Sequence, residues 1–491
     1  MPPIPLSRTT LPRLTDAITR PTYDLAAVRP GIVHLGLGGF HRAHMARFTH
    51  DLMALRPDAL GWGIVGAGLL PSDQPLHEAL AAQDRLYALV ERGGAEQHVT
   101  IIGALAGLAG ADDVLGAIDA PGIRIVSLTV TANGYGLNPA TKQLDPDNPA
   151  IALDLGDPER PRSAVGVLVE ALRRRMAAGR PGFSAMSCDN IQGNGQVLRG
   201  AVLAFAALRD PALADWIAAN ARFPSTMVDR ITPATTPPDI ASLAERHGVA
   251  DRAPVVCEPF IQWVIEDDFV DGRPDWDAVG AQFVSDVAPY ELMKLRLLNA
   301  SHLAVAGLGR LVGCVFIDEA MGDRRIRGFM RALMDRETGP TLRPVPGVDL
   351  TVYKATLLER FANPAIKDTV ERVNADAPLS YLLDPIHDRL RDGASVDLLS
   401  LALAAWMRRV RGVEEAGAPI DVRHPLAAEL RERAIAGGPD PGPLLGLTAL
   451  FGDLGASPAL RAATGRWLAS LYEVGAAQTL TTALQAELPM H

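Results

Sequence analysis

Short β-branched apolar runs alternate with longer amphipathic stretches from Gly31 to Val270, and beyond Pro289 the strand signal fades into leucine- and alanine-rich segments. That change of period restricts the fold more than any other feature. Strand–helix–strand units build a parallel sheet with helices on its faces, whereas a long run at helical period builds helix on helix. Strands are predicted at Ile32–Leu35, Gly63–Val65, Ile125–Thr131, Phe183–Cys188 and Val255–Cys257, and helices at Leu292–Leu311, Val396–Val410 and Leu460–Leu471. At 491 residues the chain is too long for one hydrophobic core to keep growing. The expectation is an α/β domain over 1–286 followed by a mainly α-helical domain over 287–491.

Composition removes several function classes. The chain carries 47 basic against 57 acidic residues, a net charge of -10, which argues against a nucleic-acid partner. No run of eighteen apolar residues offers a membrane span, and the proline-rich start, Met1 to Arg13, has no apolar core like that of an export signal, so a cytoplasmic location is expected. Three scattered cysteines, Cys188, Cys257 and Cys314, form no disulfide framework, and no Cys-x-x-Cys or His-Glu-x-x-His pattern offers metal ligands. A small-molecule substrate and an organic cofactor are the expectation.

Ile32–Leu35 runs into Gly36-Leu37-Gly38-Gly39-Phe40-His41, and Arg42–Leu55 reads as the helix that follows. Glycines at a strand-to-helix turn let a dinucleotide pyrophosphate approach the backbone and the unpaired N–H groups of the helix start. They also serve simply to tighten such a junction, and the third glycine of Gly-x-Gly-x-x-Gly is replaced by His41. After the second strand, Asp73 is placed to accept from an adenosine ribose or to cap a turn. No lysine or arginine lies between Gly66 and Leu76 to meet a 2′-phosphate, which favours NAD over NADP.

The stretch from Pro289 to His302 reads as one helix. At about 100° per residue, Glu291, Lys294, Asn299 and His302 fall within one arc of roughly 140°, interleaved with leucines. Such a face suits a cleft wall; the alternative is an exposed Glu291–Lys294 pair beside a core histidine. Metal-free oxidation of an alcohol needs a base for the hydroxyl proton as hydride leaves, and a desolvated lysine with amide and imidazole neighbours provides one.

The pattern Lys294-x-x-x-x-Asn299-x-x-His302, together with Gly-Gly-Phe-His-Arg-Ala-His at 38–44, resembles the polyol-specific long-chain dehydrogenase family, the mannitol 2-dehydrogenase group. Segments 187–190, 223–233 and 257–263 resemble further signatures of that family, and His41 in place of the third glycine is usual in it. The resemblance implies a Rossmann-type first domain, a helical second domain and a zinc-independent cleft, in a monomer. It implies NAD-dependent oxidation of a hexitol such as D-mannitol at C2, giving a ketose such as D-fructose. Gly36, Gly38, Gly39, Phe40 and Asp73 would hold NAD. Lys294 would be the general base, Asn190 and Asn299 would bind the reacting oxygen, and His302 would orient the substrate. Asp229 and Arg372 would contact substrate hydroxyls, and Glu291 would pass protons to water.

Asp229 pairing with Arg230, and Arg372 pairing with Glu371 or Asp376, are the structural alternatives. Two departures bear on substrate choice: Ala132 where the family often has an acidic residue, and the absence near Ser380 of a lysine that touches substrate in the family. A hexuronate reductase for fructuronate or tagaturonate, a pentitol dehydrogenase for D-arabinitol, and a non-catalytic dinucleotide-binding protein remain the competing readings.

Overall fold

The computed structural model describes residues 2–94, 96–138 and 141–485. The chain divides into two compact units, Met1–Ala288 and Pro289–His491. No helix among the described residues is long and apolar enough to cross a membrane.

At the centre of the first unit lies a five-stranded sheet in the order Leu105–Ala109, Gly63–Ala67, Pro30–Leu35, Ile125–Leu128, Ser184–Ser187, every neighbouring pair parallel. Numbered along the chain this order is 3-2-1-4-5, the doubly wound Rossmann arrangement. The strands read as nearly continuous apolar runs because both faces are covered. Val33, Leu35, Val126 and Leu128 pack on one side with Val165, Leu168 and Leu172 of the helix Ala164–Ala177. Ile32, Ile64 and Ile125 pack on the other with Ala43, Phe48 and Trp263. The order reverses between the first strand and the fourth, and ligands of such sheets bind outside the carboxyl ends of the strands at that point.

The expectation of a parallel sheet running through to Val270 holds only for this core. Tyr87–Gly93 and Glu96–Ile102 form an antiparallel hairpin inserted between the second and third core strands, in a separate four-stranded sheet with Val255–Cys257 and Ile18–Thr19. Thr226–Asp229 and Gln262–Glu266 are also antiparallel. Two predicted strands are shorter than expected, Ile125–Leu128 and Ser184–Ser187. The first stops because the backbone turns at Thr131, which has φ +62°. The helix predicted from Arg42 begins at Gly39 and breaks at His44 (φ -118°, ψ -91°), giving Gly39–Ala43 and Met45–Leu55.

The second unit is helical. Its central helix, Ala300–Leu311, is buried on nearly every side and packs against Ile317–Gly322, Arg324–Leu333, Val370–Asp376 and Asp397–Arg409. A helix apolar all round belongs in a core, and this one is the core of the unit. Asp397–Arg409 packs in turn on Pro458–Glu473. The single helix expected over Leu292–Leu311 is three pieces: α-helix Ala288–Met293, a π-helical turn Lys294–Asn299, and Ala300–Leu311. A second π-helical turn, Met334–Thr338, touches the first. Its Glu337 is buried, and the carboxylate accepts the N–H groups of Leu398 and Leu399, at 3.0 and 2.7 Å, at the start of Asp397–Arg409. An anion there meets the unpaired donors and the positive end of the helix dipole.

Candidate active site

In the first unit, the glycines at the carboxyl end of Pro30–Leu35 divide into two kinds. Gly36 has φ +89°, and a Cβ on it would lie 2.2 Å from the Thr129 carbonyl oxygen, so the protein's own backbone requires glycine there. Gly38 has φ -80° and caps the helix Gly39–Ala43; a Cβ on it would meet nothing nearer than 4.0 Å, and the residue is exposed. Nothing inside the fold requires Gly38 to lack a side chain, whereas a phosphate seated against the backbone would. Gly39 is similar, with Thr232 at 3.9 Å from the added atom. Phe40 is half-buried and stacks on His44 at 5.0 Å.

His41, at the position of the missing third glycine, is buried and stacks on His34 at 3.5 Å and 19°. His34 bonds Ser127 Oγ through Nδ1 (2.8 Å) and approaches Thr129 Oγ1 (2.9 Å) and the Gly36 carbonyl (3.2 Å) through Nε2. Burial pushes His34 down to about 3 and holds His41 well below the ordinary histidine range, so the stack is uncharged. A flat imidazole pair thus occupies the helix–strand contact that a third glycine serves elsewhere.

Asp73 sits at the end of a 3-10 turn, Pro71–Asp73, and its Oδ2 accepts the Leu70 N–H at 3.0 Å. It caps that turn, and it lies against Gly68, just past the second strand, where an added Cβ would be 2.6 Å from the Asp73 Cβ.

Asn190 is exposed just past the carboxyl end of Ser184–Ser187. Its neighbour Asp189 is buried and does work that the sequence reading missed. The carboxylate accepts the N–H groups of Val130 (3.1 Å) and Thr131 (2.8 Å) and the Tyr135 hydroxyl (2.8 Å), holding Thr131 at its unfavourable positive φ. Burial raises the Asp189 pKa above the usual carboxylate range. Asp229 ends the strand Thr226–Asp229 and is buried. Arg230 is directed elsewhere: it pairs with Glu91 and donates to the carbonyls of Ala43 (2.6 Å) and Glu258 (3.0 Å).

In the second unit, Lys294 (9% exposed), Asn299 (6%) and His302 (9%) are withdrawn from water without being sealed off, and Glu291 is half-buried. This is not the exposed ion-pair face that the spacing alone allowed. The π turn alters the geometry expected of a plain helix. Residues five apart lie about 140° apart at α-helical pitch. In an i→i+5 turn, marked here by the Ala300 N–H bonding the Leu295 carbonyl, one extra residue is taken up, so they lie about as residues four apart do in an α-helix, roughly 40° from each other. Lys294 and Asn299 are five apart and bound this turn; three residues on, one α-helical step carries the face to His302.

The His302 ring stacks on Phe361 at 4.7 Å and 19°, and its Nε2 faces Asp368 Oδ2 at 3.6 Å. Asp368 is buried and takes both ends of the Arg372 guanidinium: Nε donates to Oδ1 at 2.6 Å and Nη2 donates to Oδ2. Of the two partners offered by its neighbourhood in sequence, Glu371 is engaged elsewhere. Glu371 binds Arg310 (2.6 Å) and Arg409 (2.9 Å), and the side chain of Asp376 lies outside the described residues. The one sequence signal for Asp368 was its position four before Arg372 at the edge of a helix.

Among the described residues no group of three His, Cys, Asp or Glu side chains is placed to hold a metal ion. All three cysteines are free thiols, and burial pushes Cys188 and Cys257 up to about 12.

The sequence model of the mannitol dehydrogenase Rossmann domain matches residues 30–278, and that of the mannitol dehydrogenase C-terminal domain matches residues 286–472. The chain is 44% identical over 447 residues to the D-mannonate oxidoreductase of Escherichia coli (strain K12), covering 89% of this chain and 92% of that one. It is 41% identical to a mannitol 2-dehydrogenase of Aspergillus fumigatus, over 92% and 93% of the two chains. The structure of Pseudomonas fluorescens mannitol 2-dehydrogenase, solved as a ternary complex with NAD and D-mannitol, matches with a TM-score of 0.90. It is 41% identical and covers 98% of this chain and 100% of that chain.

Proposed function

Because the chain belongs to the mannitol dehydrogenase family, we propose that it is an NAD-dependent secondary-alcohol dehydrogenase acting on a hexitol such as D-mannitol, oxidised at C2 to the ketose. The observation that carries the reading is the π turn bounded by Lys294 and Asn299 and followed three residues on by His302, three polar side chains largely held out of water. Gly38 and Gly39 leave room for a pyrophosphate at the carboxyl end of the first strand, and Asp73 stands at the end of the second.

Bound there, the nicotinamide supplies the hydride acceptor. The protein's own groups manage the proton. Lys294 accepts the hydroxyl proton as the C–H electron pair departs. The Asn299 amide donates to the oxygen as it gains and then sheds negative charge. Glu291, one α-helical step before Lys294, passes the proton on to water. In reduction the same groups act in reverse, with protonated Lys294 returning the proton to the carbonyl oxygen. Arg372, clamped by Asp368, would contact hydroxyls farther along the substrate.

A second reading is favoured by the E. coli relative: a hexonate such as D-mannonate, or its keto form, as substrate. A carboxylate would call for a cation beyond Arg372, and the stretch around Ser380 supplies no lysine. The test is one panel. Purified protein with NAD or NADP is given mannitol, sorbitol, arabinitol and mannonate, and with NADH is given fructose and fructuronate, while reduced nicotinamide is followed by absorbance. Turnover of mannitol and fructose with NAD is expected. Turnover confined to mannonate and fructuronate moves the substrate to the second reading, and silence from folded protein across the panel refutes both.

A further inference from the structure

Thr131, just past the fourth core strand, has φ +62° and ψ 168°, a backbone region that essentially only glycine enters, and its β-branched side chain makes the position an outlier. Asp189 holds it there. Its two oxygens accept the successive N–H groups of Val130 and Thr131, at 3.1 and 2.8 Å, and the oxygen that takes Val130 also accepts the Tyr135 hydroxyl at 2.8 Å. Asp189 is anchored in turn, its N–H donating to Ser187 Oγ at 3.2 Å and its carbonyl accepting from Asn194 Nδ2 at 3.0 Å. Nothing in the fold calls for a threonine at 131: the side chain is exposed, and its hydroxyl makes no hydrogen bond among the described residues. A glycine would relieve the backbone and remove no buried contact. Strain that the surroundings maintain without internal use is characteristic of a residue held for a ligand.

The place of this loop in the sheet identifies the ligand. It opens beside the glycine turn, where the Thr129 N–H bonds the Leu35 carbonyl at 2.9 Å and Thr129 Oγ1 donates to the Gly36 carbonyl at 2.8 Å. A doubly wound sheet takes one mononucleotide half of a dinucleotide on each side of its switch point, the adenosine half toward the second strand and the pyrophosphate at the glycine turn after the first. The nicotinamide half then belongs to the ends of the fourth and fifth strands, where Thr131 and Asp189 stand. We propose that Thr131 binds the nicotinamide nucleotide half of NAD through its hydroxyl, and that Asp189 is the positioning residue that holds it there. The proposal rests on the reading of the first unit as the dinucleotide-binding domain and deepens it. Asp189 itself is buried and directs both oxygens to the loop, so it acts through Thr131.

Thermal melts of the full-length protein, with calorimetric titrations of NADH and of ADP, which ends at the pyrophosphate, separate this role from a structural one. Thr131→Gly releases the strain and removes the hydroxyl. It is expected to melt no lower than wild type while binding NADH about three- to tenfold more weakly and ADP unchanged. Thr131→Ser keeps the hydroxyl and should bind NADH within about twofold of wild type, since the group that bonds is retained. In Asp189→Asn the amide has one accepting oxygen where two N–H groups need acceptors, so Thr131 leaves its position and NADH is expected to weaken by a similar factor, again with ADP unchanged. Adding Asp189→Asn to Thr131→Gly should lower NADH affinity little further, because both remove the same contact.

Unchanged NADH affinity in Thr131→Gly overturns the proposal, and so does ADP weakened in the same proportion as NADH, a Thr131→Ser loss as large as that of Thr131→Gly, or a Thr131→Gly protein that melts well below wild type. Should Asp189→Asn not fold, the two Thr131 variants decide by themselves. A wild type that binds neither NADH nor ADP overturns the proposal together with the cofactor reading, whereas NADH binding that is indifferent to residue 131 overturns the proposal alone.

Discussion

Inserting one alanine after Leu295 tests whether the register across the π turn makes the site. The turn already holds one residue more than an α-helical turn, and Leu295 is the least buried residue of Lys294–Asn299. A further residue at helical pitch rotates Lys294 by about 100° about the helix axis relative to Asn299 and His302. At a side-chain radius of about 5–6 Å, half the helix diameter, that rotation carries the amine about 8 Å from its place. Reacting groups must lie about 3–3.5 Å apart, and about 1 Å of misplacement already costs about 100-fold, so the base is lost outright. Turnover should fall by about 10²–10⁴-fold, or roughly 3–5 kcal/mol of barrier, matching Lys294→Ala. Combining the insertion with Lys294→Ala should lower the rate no further, since both remove the same group. The insertion also shifts buried Met293 and Tyr290, so a lower melting temperature accompanies it. NAD affinity, read by titration calorimetry, should persist because the glycine turn lies in the other unit, and Leu295→Ala, which keeps the residue count, should stay active. A folded insertion variant that melts cooperatively and turns over polyol within tenfold of wild type would refute the reasoning.

The two turn glycines should respond oppositely. Gly36→Ala forces φ +89° and a contact with Thr129, and should lower stability by at least about 1–3 kcal/mol in thermal melts, whereas Gly38→Ala should melt as wild type yet bind NAD at least about tenfold more weakly by calorimetry. Glu337→Ala leaves the Leu398 and Leu399 N–H groups without their buried acceptor, at about 1–3 kcal/mol each, so urea unfolding should show a loss of about 2–6 kcal/mol and Glu337→Gln a smaller one. Burial holds His34 and His50 near 3, while in the unfolded chain each takes up a proton near 6.5. Below pH 6.5 the unfolded state therefore binds more protons. The stability present above that pH is lost as pH falls toward 3, with a slope of up to about 1.4 kcal/mol per pH unit for each ring. Urea midpoints of wild type and His50→Gln measured from pH 7 to 4 check this, and an equal slope in the two would count against it.

What the sequence made legible follows from how much each feature depends on its surroundings. The core strands are visible because a parallel strand buried on both faces is apolar throughout, as Ile32–Leu35 is apart from His34, and because glycines punctuate the turn after it. The hairpin Tyr87–Ile102 escaped notice because Glu91, Arg92, Glu96 and Gln97 interrupt its apolar pattern. Nothing in Lys-Leu-Arg-Leu-Leu-Asn marks a π turn, since most of these residues favour an α-helix; the wide turn exists where Lys294–Asn299 packs on a second one at Met334–Thr338. Lys294, Asn299 and His302 stood out by residue type and spacing. Asp189 and Asp368 did not, because an aspartate is unremarkable until its burial is known. In water, Asp368 and Arg372 would be one more i, i+4 pair contributing a few tenths of a kcal/mol. With Asp368 only 3% exposed, the same carboxylate must have every lone pair oriented, and it orients the groups that satisfy it. The groups that present chemistry to a substrate are thus readable from their type. The groups that orient them become readable only when the fold places a charge where water cannot reach it.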